Sequence, residues 1–105
     1  MNAGCARLDK WLWQARFVKT RGLAQKLIER GQVRVNGAVA EKAGHAIRPG
    51  DKLAVVLGPV KRGVVVRGLG ERRGPAEEAR TLYEEPYGPE RLSFEDAALP
   101  LYLPG

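Results

Sequence analysis

Between residues 20 and 37 the chain carries a helix start, a helix stop and a chain reversal, which leaves few ways to fold it. Thr20 is placed as an N-cap, its hydroxyl accepting from a first-turn amide that has no intrahelical partner. Leu23, Ala24, Leu27 and Ile28 follow at the spacing of one buried helical stripe. Gly31 supplies the left-handed residue that closes such a helix. Gln32-Val33-Arg34-Val35 then alternates as a strand with both valines on one face. Asn36-Gly37 is the strongest short hairpin signal, because both residues tolerate the positive φ of a type I′ turn.

Upstream, residues 6–18 read as a first helix, with Leu8, Trp11, Leu12, Ala15 and Val18 on one face. Arg7, Lys10, Gln14 and Phe17 project from a neighbouring face, with Trp13 at its border. Asp9 and Arg16 share the third side, where an exposed ion pair would contribute little. Neither helix can bury its stripe alone, so the two must pack as a corner.

Downstream, residues 38–41 form the return strand, 42–45 a loop and Pro49-Gly50-Asp51 a further turn. Residues 52–57 read as a strand that Gly58-Pro59 breaks, and 64–67 begin another. Residues 72–85 are predicted as a third helix, with Pro75 in its first turn and Ala76, Ala79, Leu82 and Tyr83 docking it. From Pro86 the chain turns proline-bearing and acidic. The expected fold is α+β: a two-helix motif packed on a small, mostly antiparallel sheet, plus one C-terminal helix and an irregular tail. This divides the chain into a domain at 6–70, a docking helix at 71–85 and a tail at 86–105. At 105 residues one core is feasible without covalent staples.

Charge is distributed unevenly. Residues 1–67 hold 14 Lys/Arg and 4 Asp/Glu, a balance of +10, whereas 68–105 hold 4 and 8, a balance of −4. Residues 7–37 alone hold eight basic side chains against two acidic ones, and both tryptophans. Such a front suggests a polyanion, either nucleic acid or an anionic membrane surface. No apolar run approaches the roughly 18 residues of a membrane span. The first residues lack an apolar leader core and Cys5 is the lone cysteine. Together these give a cytoplasmic protein as the expectation, with no membrane partner.

Enzymatic constellations do not emerge. His45, the single histidine, sits in a loop without a second ligand at metal spacing. Cys5 has no base or helix terminus beside it. Glu84, Glu85, Glu95 and Asp96 read as a solvated charge run. Gly68-Leu69-Gly70 lacks a third glycine in register for a dinucleotide fingerprint. No catalytic residue, cofactor or metal is therefore expected.

The basic cluster carries the chemistry. Arg7, Lys10, Arg16, Lys19, Arg21, Lys26 and Arg34 lie on two helices and a strand that must pack together. Guanidinium groups grip phosphates bidentately and lysines supply point charges. Thr20, Gln14, Gln25 and Asn36 add neutral donors suited to sugar hydroxyls and loop bases, and the amides opening the second helix add a phosphate site beside Gly22. Trp11 reads as core. Trp13 and Phe17 border the basic face, where stacking on a base and packing are both open.

These residues resemble the S-four RNA-binding domain, whose alpha-L (αL) motif runs R-L-D-x-x-L, then T/S-R-x-x-A-x-x-L-I-x-x-G-x-V-x-V-N-G, and ends near P-G-D. Here they stand as Arg7-Leu8-Asp9 with Leu12, Thr20-Arg21, Ala24, Leu27-Ile28, Gly31, Val33, Val35-Asn36-Gly37 and Pro49-Gly50-Asp51. RLDKWLW at 7–13, ARFVKTR at 15–21 and RRGPAEEARTLYEE at 72–85 are similar to the bacterial fifteen-kilodalton heat-shock protein family. The resemblance implies a non-enzymatic factor that binds free large ribosomal subunits blocked by a peptidyl-tRNA, with relatives acting in ribosome-associated quality control. It implies RNA contacts at Arg7, Lys10, Arg16, Lys19, Thr20, Arg21, Gln25, Lys26, Arg34 and Asn36, on rRNA or tRNA; a monomer is the expected state. That family continues into a long basic helical tail, where this chain carries an acidic one. Two other readings fit the same surface: an RNA-targeting subunit for a separate modifying enzyme, and a general DNA-binding protein.

Overall fold

A computed structural model of the chain describes residues 4–70, 73–86 and 90–91. β1 (Ala6–Arg7) runs directly into α1 (Leu8–Gln14), and after a turn comes α2 (Arg21–Glu29). β2 (Val33–Val35), β3 (Ala38–Val39) and β4 (Ala46–Ile47) follow, then the long hairpin β5 (Lys52–Leu57) and β6 (Val60–Val66). A one-turn helix α3 (Ala76–Ala79), a 3₁₀ turn (Arg80–Leu82) and the short strands β7 (Tyr83–Glu84) and β8 (Glu90–Arg91) complete it. The main sheet is antiparallel in the order β3-β2-β5-β6-β7, with β8 also on β6, while β1 pairs separately with β4. The expected α+β class is observed.

The sheet buries one face. Val33, Val35, Leu53, Val55, Val64 and Val66 alternate inward and meet Leu8, Trp11 and Leu12 of α1 and Ala24 and Ile28 of α2. Asn36 at φ 52° and Gly37 at φ 88° make the tight β2–β3 turn between paired Val35 and Ala38. Asn36 does more than turn the chain. Its side-chain oxygen accepts from the Lys52 amide at 2.9 Å and its nitrogen donates to Asp51 Oδ1 at 3.1 Å. Asp51 Oδ2 in turn accepts from the Arg48 amide at 2.8 Å, so the N-G and P-G-D turns form one hydrogen-bonded unit.

Both helices end the same way. In α2, the Gly31 amide donates to Ile28 O and Gln32 to Leu27 O, with Gly31 left-handed at φ 74°. In α1, Arg16 donates to Trp13 O and Phe17 to Leu12 O, and the left-handed residue is Arg16 itself, at φ 63°. These are Schellman closures. The first helix is therefore shorter than the expected 6–18, since the turn is made without glycine and Ala6–Arg7 pair instead with Ala46–Ile47.

Four further expectations are corrected. Leu23 is not in the buried stripe but 44% exposed. Gln14 is fully buried, and neither its amide nitrogen nor its oxygen has a hydrogen-bond partner. Residues 72–85 do not form one helix: Leu82 O accepts from the Arg67 and Gly68 amides, and Tyr83–Glu84 pair with Val65–Val66. The strand expected from residue 64 begins at Val60, directly after the Gly58-Pro59 break, and pairs with the first up to Leu57 and Val60. Of the tail expected from residue 86, all but Pro86 and the paired Glu90–Arg91 lie outside the described residues.

Candidate nucleic-acid interface

α1 starts without a side-chain cap at Arg7, so its first amides find partners elsewhere. Leu8 donates to His45 O at 2.9 Å and Asp9 to Ala43 O at 3.1 Å. The Lys10 amide donates to Asp9 Oδ1 at 2.8 Å. This docks the 43–45 loop on the helix start. It also fixes the Asp9 carboxylate in the first turn, where the helix dipole favours a negative charge.

Asp9 organises the basic face. Its side chain is fully buried, yet Arg7 Nε and Nη2 donate to its two oxygens at 3.1 and 3.2 Å, and Gln25 Nε2 donates from α2 at 3.0 Å. Arg21 Nε lies at 3.5 Å. Burial by itself pushes the Asp9 carboxyl up, but the hydrogen bonds from Arg7, Gln25 and the Lys10 amide, with the nearby Arg21 charge, together hold it below the ordinary carboxylate range. The same contact raises the Arg7 guanidinium. Arg7 and Arg21 remain about half exposed, at 54% and 43%. Each thus keeps donors for solvent or a phosphate while its orientation is fixed. The sequence pattern placed Asp9 beside Arg16. The pairing is different because Arg16 lies beyond the helix end and donates instead to Gly74 O at 2.8 Å.

The candidate residues fall into three groups. Arg7, Arg21 and Gln25 converge on Asp9, with half-buried Lys10 beside them on α1 and exposed Lys26 on α2. Arg16, Lys19 and Thr20 line the turn between the helices, where Thr20 Oγ1 caps α2 by accepting from Leu23 N at 3.1 Å. Arg34 and Asn36 sit on the hairpin, Arg34 reaching Gly37 O at 3.5 Å and Asn36 engaged with Asp51 and Lys52. Trp11 is fully buried and donates through its indole nitrogen to Gly68 O at 2.8 Å. Phe17 packs as well: it is 7% exposed, its ring stacked 5.8 Å from Trp11 and covered by the Arg62 guanidinium at 4.5 Å. Trp13 is half-buried, 5.9 Å from Arg73.

Sequence reasoning missed the residues that hold this surface from behind. Arg73 Nε donates to Trp13 O at 3.1 Å and its Nη2 to Val18 O at 3.4 Å, tying the helix–helix turn to the later segment. Arg62 forms a two-pronged pair with Glu85 at 2.8 and 3.0 Å, and that hydrogen bonding raises the guanidinium further. On the other flank Arg7 lies flat over Gly44, where a Cβ would sit 3.4 Å from Cζ. Among the described residues no group of His, Cys, Asp or Glu is arranged to hold a metal, and no helix is long and apolar enough to cross a membrane.

Comparison with known proteins matches this geometry. The S4 domain model covers residues 6–53, from β1 into β5. The RQC P-site tRNA stabilizing factor of Halalkalibacterium halodurans is 42% identical over 78 residues, which is 74% of this chain and 86% of that protein. The chain belongs to the S4-domain family that includes these factors and heat shock protein 15. Heat shock protein 15 of Escherichia coli K12 is 47% identical over 79 residues, 75% of this chain. The chain spans 59% of the length of that relative. The structure of Vibrio cholerae heat shock protein 15, described as trimeric, superposes with a TM-score of 0.73 at 38% identity, covering 77% of this chain and 81% of its own. These matches, over 79 and 78 residues, are longer than the S4 domain match at residues 6–53.

Proposed function

We propose that this chain is a non-enzymatic RNA-binding protein that grips structured rRNA or tRNA on large ribosomal subunits carrying a stalled peptidyl-tRNA, in translation rescue or the heat-shock response. The observation that carries the proposal is the buried Asp9 carboxylate, which holds Arg7, Arg21 and Gln25 from two elements on one outward face. Donors held in place lose less side-chain entropy on meeting a phosphate than mobile ones do. The names of the relatives support a ribosomal setting, one of them being a P-site tRNA stabilizing factor. We place the protein in the cytoplasm and read it as a monomer, since Leu23 is the exposed large hydrophobic residue among those described.

The contacts assigned to RNA are Arg7, Lys10, Arg16, Lys19, Thr20, Arg21, Gln25, Lys26 and Arg34, with Asn36 acting through the hairpin. About six phosphate contacts would weaken binding by roughly three orders of magnitude over a fourfold rise in salt. Combining Lys19→Glu, Arg21→Glu and Lys26→Glu should abolish co-sedimentation with isolated large subunits while the circular dichroism spectrum stays unchanged. Retained binding by that folded variant refutes the surface. Equal displacement by duplex DNA and structured RNA refutes RNA selectivity, which depends on the 2′-hydroxyl. Sedimentation equilibrium reads the oligomeric state, and a trimer overturns the monomer assignment.

A further inference from the structure

The segment after the matched S4 domain forms a cavity against the end of α1, with Ala15 and Arg16 in its lining. It has a volume of about 470 Å³ and lies where α3 and the 3₁₀ turn cross the end of α1. This is within the roughly 300–1,000 Å³ of small-ligand sites. Exposed Ala76 and buried Ala79 supply an apolar floor, Tyr83 an aromatic wall, and Arg16 and Arg80 the exposed basic rim. Glu85 also faces it, but both of its oxygens are engaged by Arg62. The net charge at the rim is therefore positive.

Arg16 is specially placed there. It occupies the left-handed position of a Schellman closure, which glycine fills in α2 and which costs a side-chain-bearing residue stability. Its Nε is fixed on Gly74 O at 2.8 Å, leaving both terminal amino groups for another acceptor. An arginine so held joins the αL-motif surface to the cavity. Nothing in the RNA-binding face uses Arg80, Ala76 or Tyr83.

We propose that this cavity is a subsite for a single nucleotide unstacked from the bound RNA. Arg16 and Arg80 hold its phosphate, and the alanine floor and the Tyr83 ring take the base, while the Tyr83 hydroxyl and Glu85 stay engaged by Arg62. An apolar floor with an aromatic wall suits a base, since every base has a π-face, and two guanidiniums at one rim suit a phosphate. The proposal rests on the RNA-binding reading for its source of nucleotide.

Two measurements test it. Titrating ¹⁵N-labelled protein with adenosine 5′-monophosphate should shift the amides of Ala76, Ala79, Arg80 and Tyr83 saturably. Arg80→Gln should weaken this binding about tenfold, the expected loss of a charge-assisted hydrogen bond. Ala76→Leu, which fills the floor without altering charge, should abolish it. Separately, a fluorescein-labelled RNA hairpin with one bulged nucleotide should bind roughly tenfold tighter than the same stem without the bulge, and Ala76→Leu should erase that preference alone. Absent shifts, or a bulge preference unchanged in Ala76→Leu, overturn the subsite while hairpin binding preserves the RNA-binding reading. Saturable cavity shifts with neither hairpin bound preserve the nucleotide site and refute its RNA source.

Discussion

Asp9 offers a test in which charge and geometry predict opposite signs. Asp9→Asn keeps the shape of the side chain and raises the net charge by one. If the basic face acts only through its summed field, RNA binding should strengthen. One unit charge about 10 Å from a phosphate is worth roughly 0.4 kcal/mol in water before salt screening, so the gain is at most about twofold. If Asp9 aims the donors, binding should weaken. The asparagine amide nitrogen replaces one oxygen and meets the donors that oxygen served. Should it replace Oδ2, Arg7 Nη2 and Gln25 Nε2 both lose their acceptor, and Arg21 loses its nearest charge. Two arginines then order only on binding, at about 1 kcal/mol or more each, and the affinity falls by roughly tenfold or more.

The same substitution affects stability. Hydrogen bonds to charged groups contribute about 1.5–3 kcal/mol each, offset here by no longer burying a carboxylate and by water reaching the half-exposed arginines. A net loss of about 2 kcal/mol is expected, or roughly 8–16 °C in Tm for a domain of this size. Binding must therefore be measured near 10 °C, where the variant stays folded by circular dichroism. Fluorescence anisotropy with a structured RNA across a salt series reads both affinity and the number of phosphates engaged. If the freed arginines still reach the phosphates, only the affinity falls; if they do not, the slope of log K on log salt falls by about 1.4–1.8 as well. A folded Asp9→Asn protein that binds as tightly as the parent, with an equal slope, refutes the positioning argument.

Three other perturbations test the scaffold. Since Asp9 is held below the roughly 3.9 of an unfolded aspartate, its contribution is present above that pH and is lost as pH falls through the folded value. Asp9→Asn should therefore flatten the acid limb of a stability-versus-pH curve, and an unchanged limb would acquit Asp9. Asn36→Ala should cost about 2 kcal/mol through its bonds to Asp51 and Lys52 and its φ of 52°; Asn36→Gly isolates the side-chain share, and denaturant midpoints that match the parent would remove that role. Gln14→Met should stabilise by about 1–2 kcal/mol, because it deletes two buried polar atoms without partners at similar volume. A lower urea midpoint refutes it.

What the sequence made legible was local. Thr20 caps the backbone three residues on with its hydroxyl, and Gly31 and Asn36-Gly37 accept positive φ where they stand, so the start and end of α2 and the hairpin turn follow from residue type alone. The end of α1 was hidden because Arg16 takes the left-handed position that glycine usually marks. Extending that helix to residue 18 then put Arg16 on the side of Asp9 as an exposed partner, which concealed the buried carboxylate. Residues 76–83 carry helical spacing, but pairing with β6 overrides it after one turn. Phe17 looked available to a base only while the partner that covers it, Arg62, was unknown.

The identity of the donors was therefore readable, but not their aim. Four hydrogen bonds set the αL turn, and each spans more than half the chain: Trp11 to Gly68, Arg16 to Gly74, and Arg73 to both Trp13 and Val18, at separations of 57, 58, 60 and 55 residues. Their later partners, Gly68, Arg73 and Gly74, lie beyond residue 53, where the S4 domain match ends. The later segment is thus part of the grip rather than an appendage to it. A fragment cut at residue 53 would keep every basic residue of the αL motif but lose β6, the Arg62 cover on Phe17 and the anchors of Arg16. Its charge would predict RNA binding; its missing anchors predict that the turn between the helices no longer holds its shape.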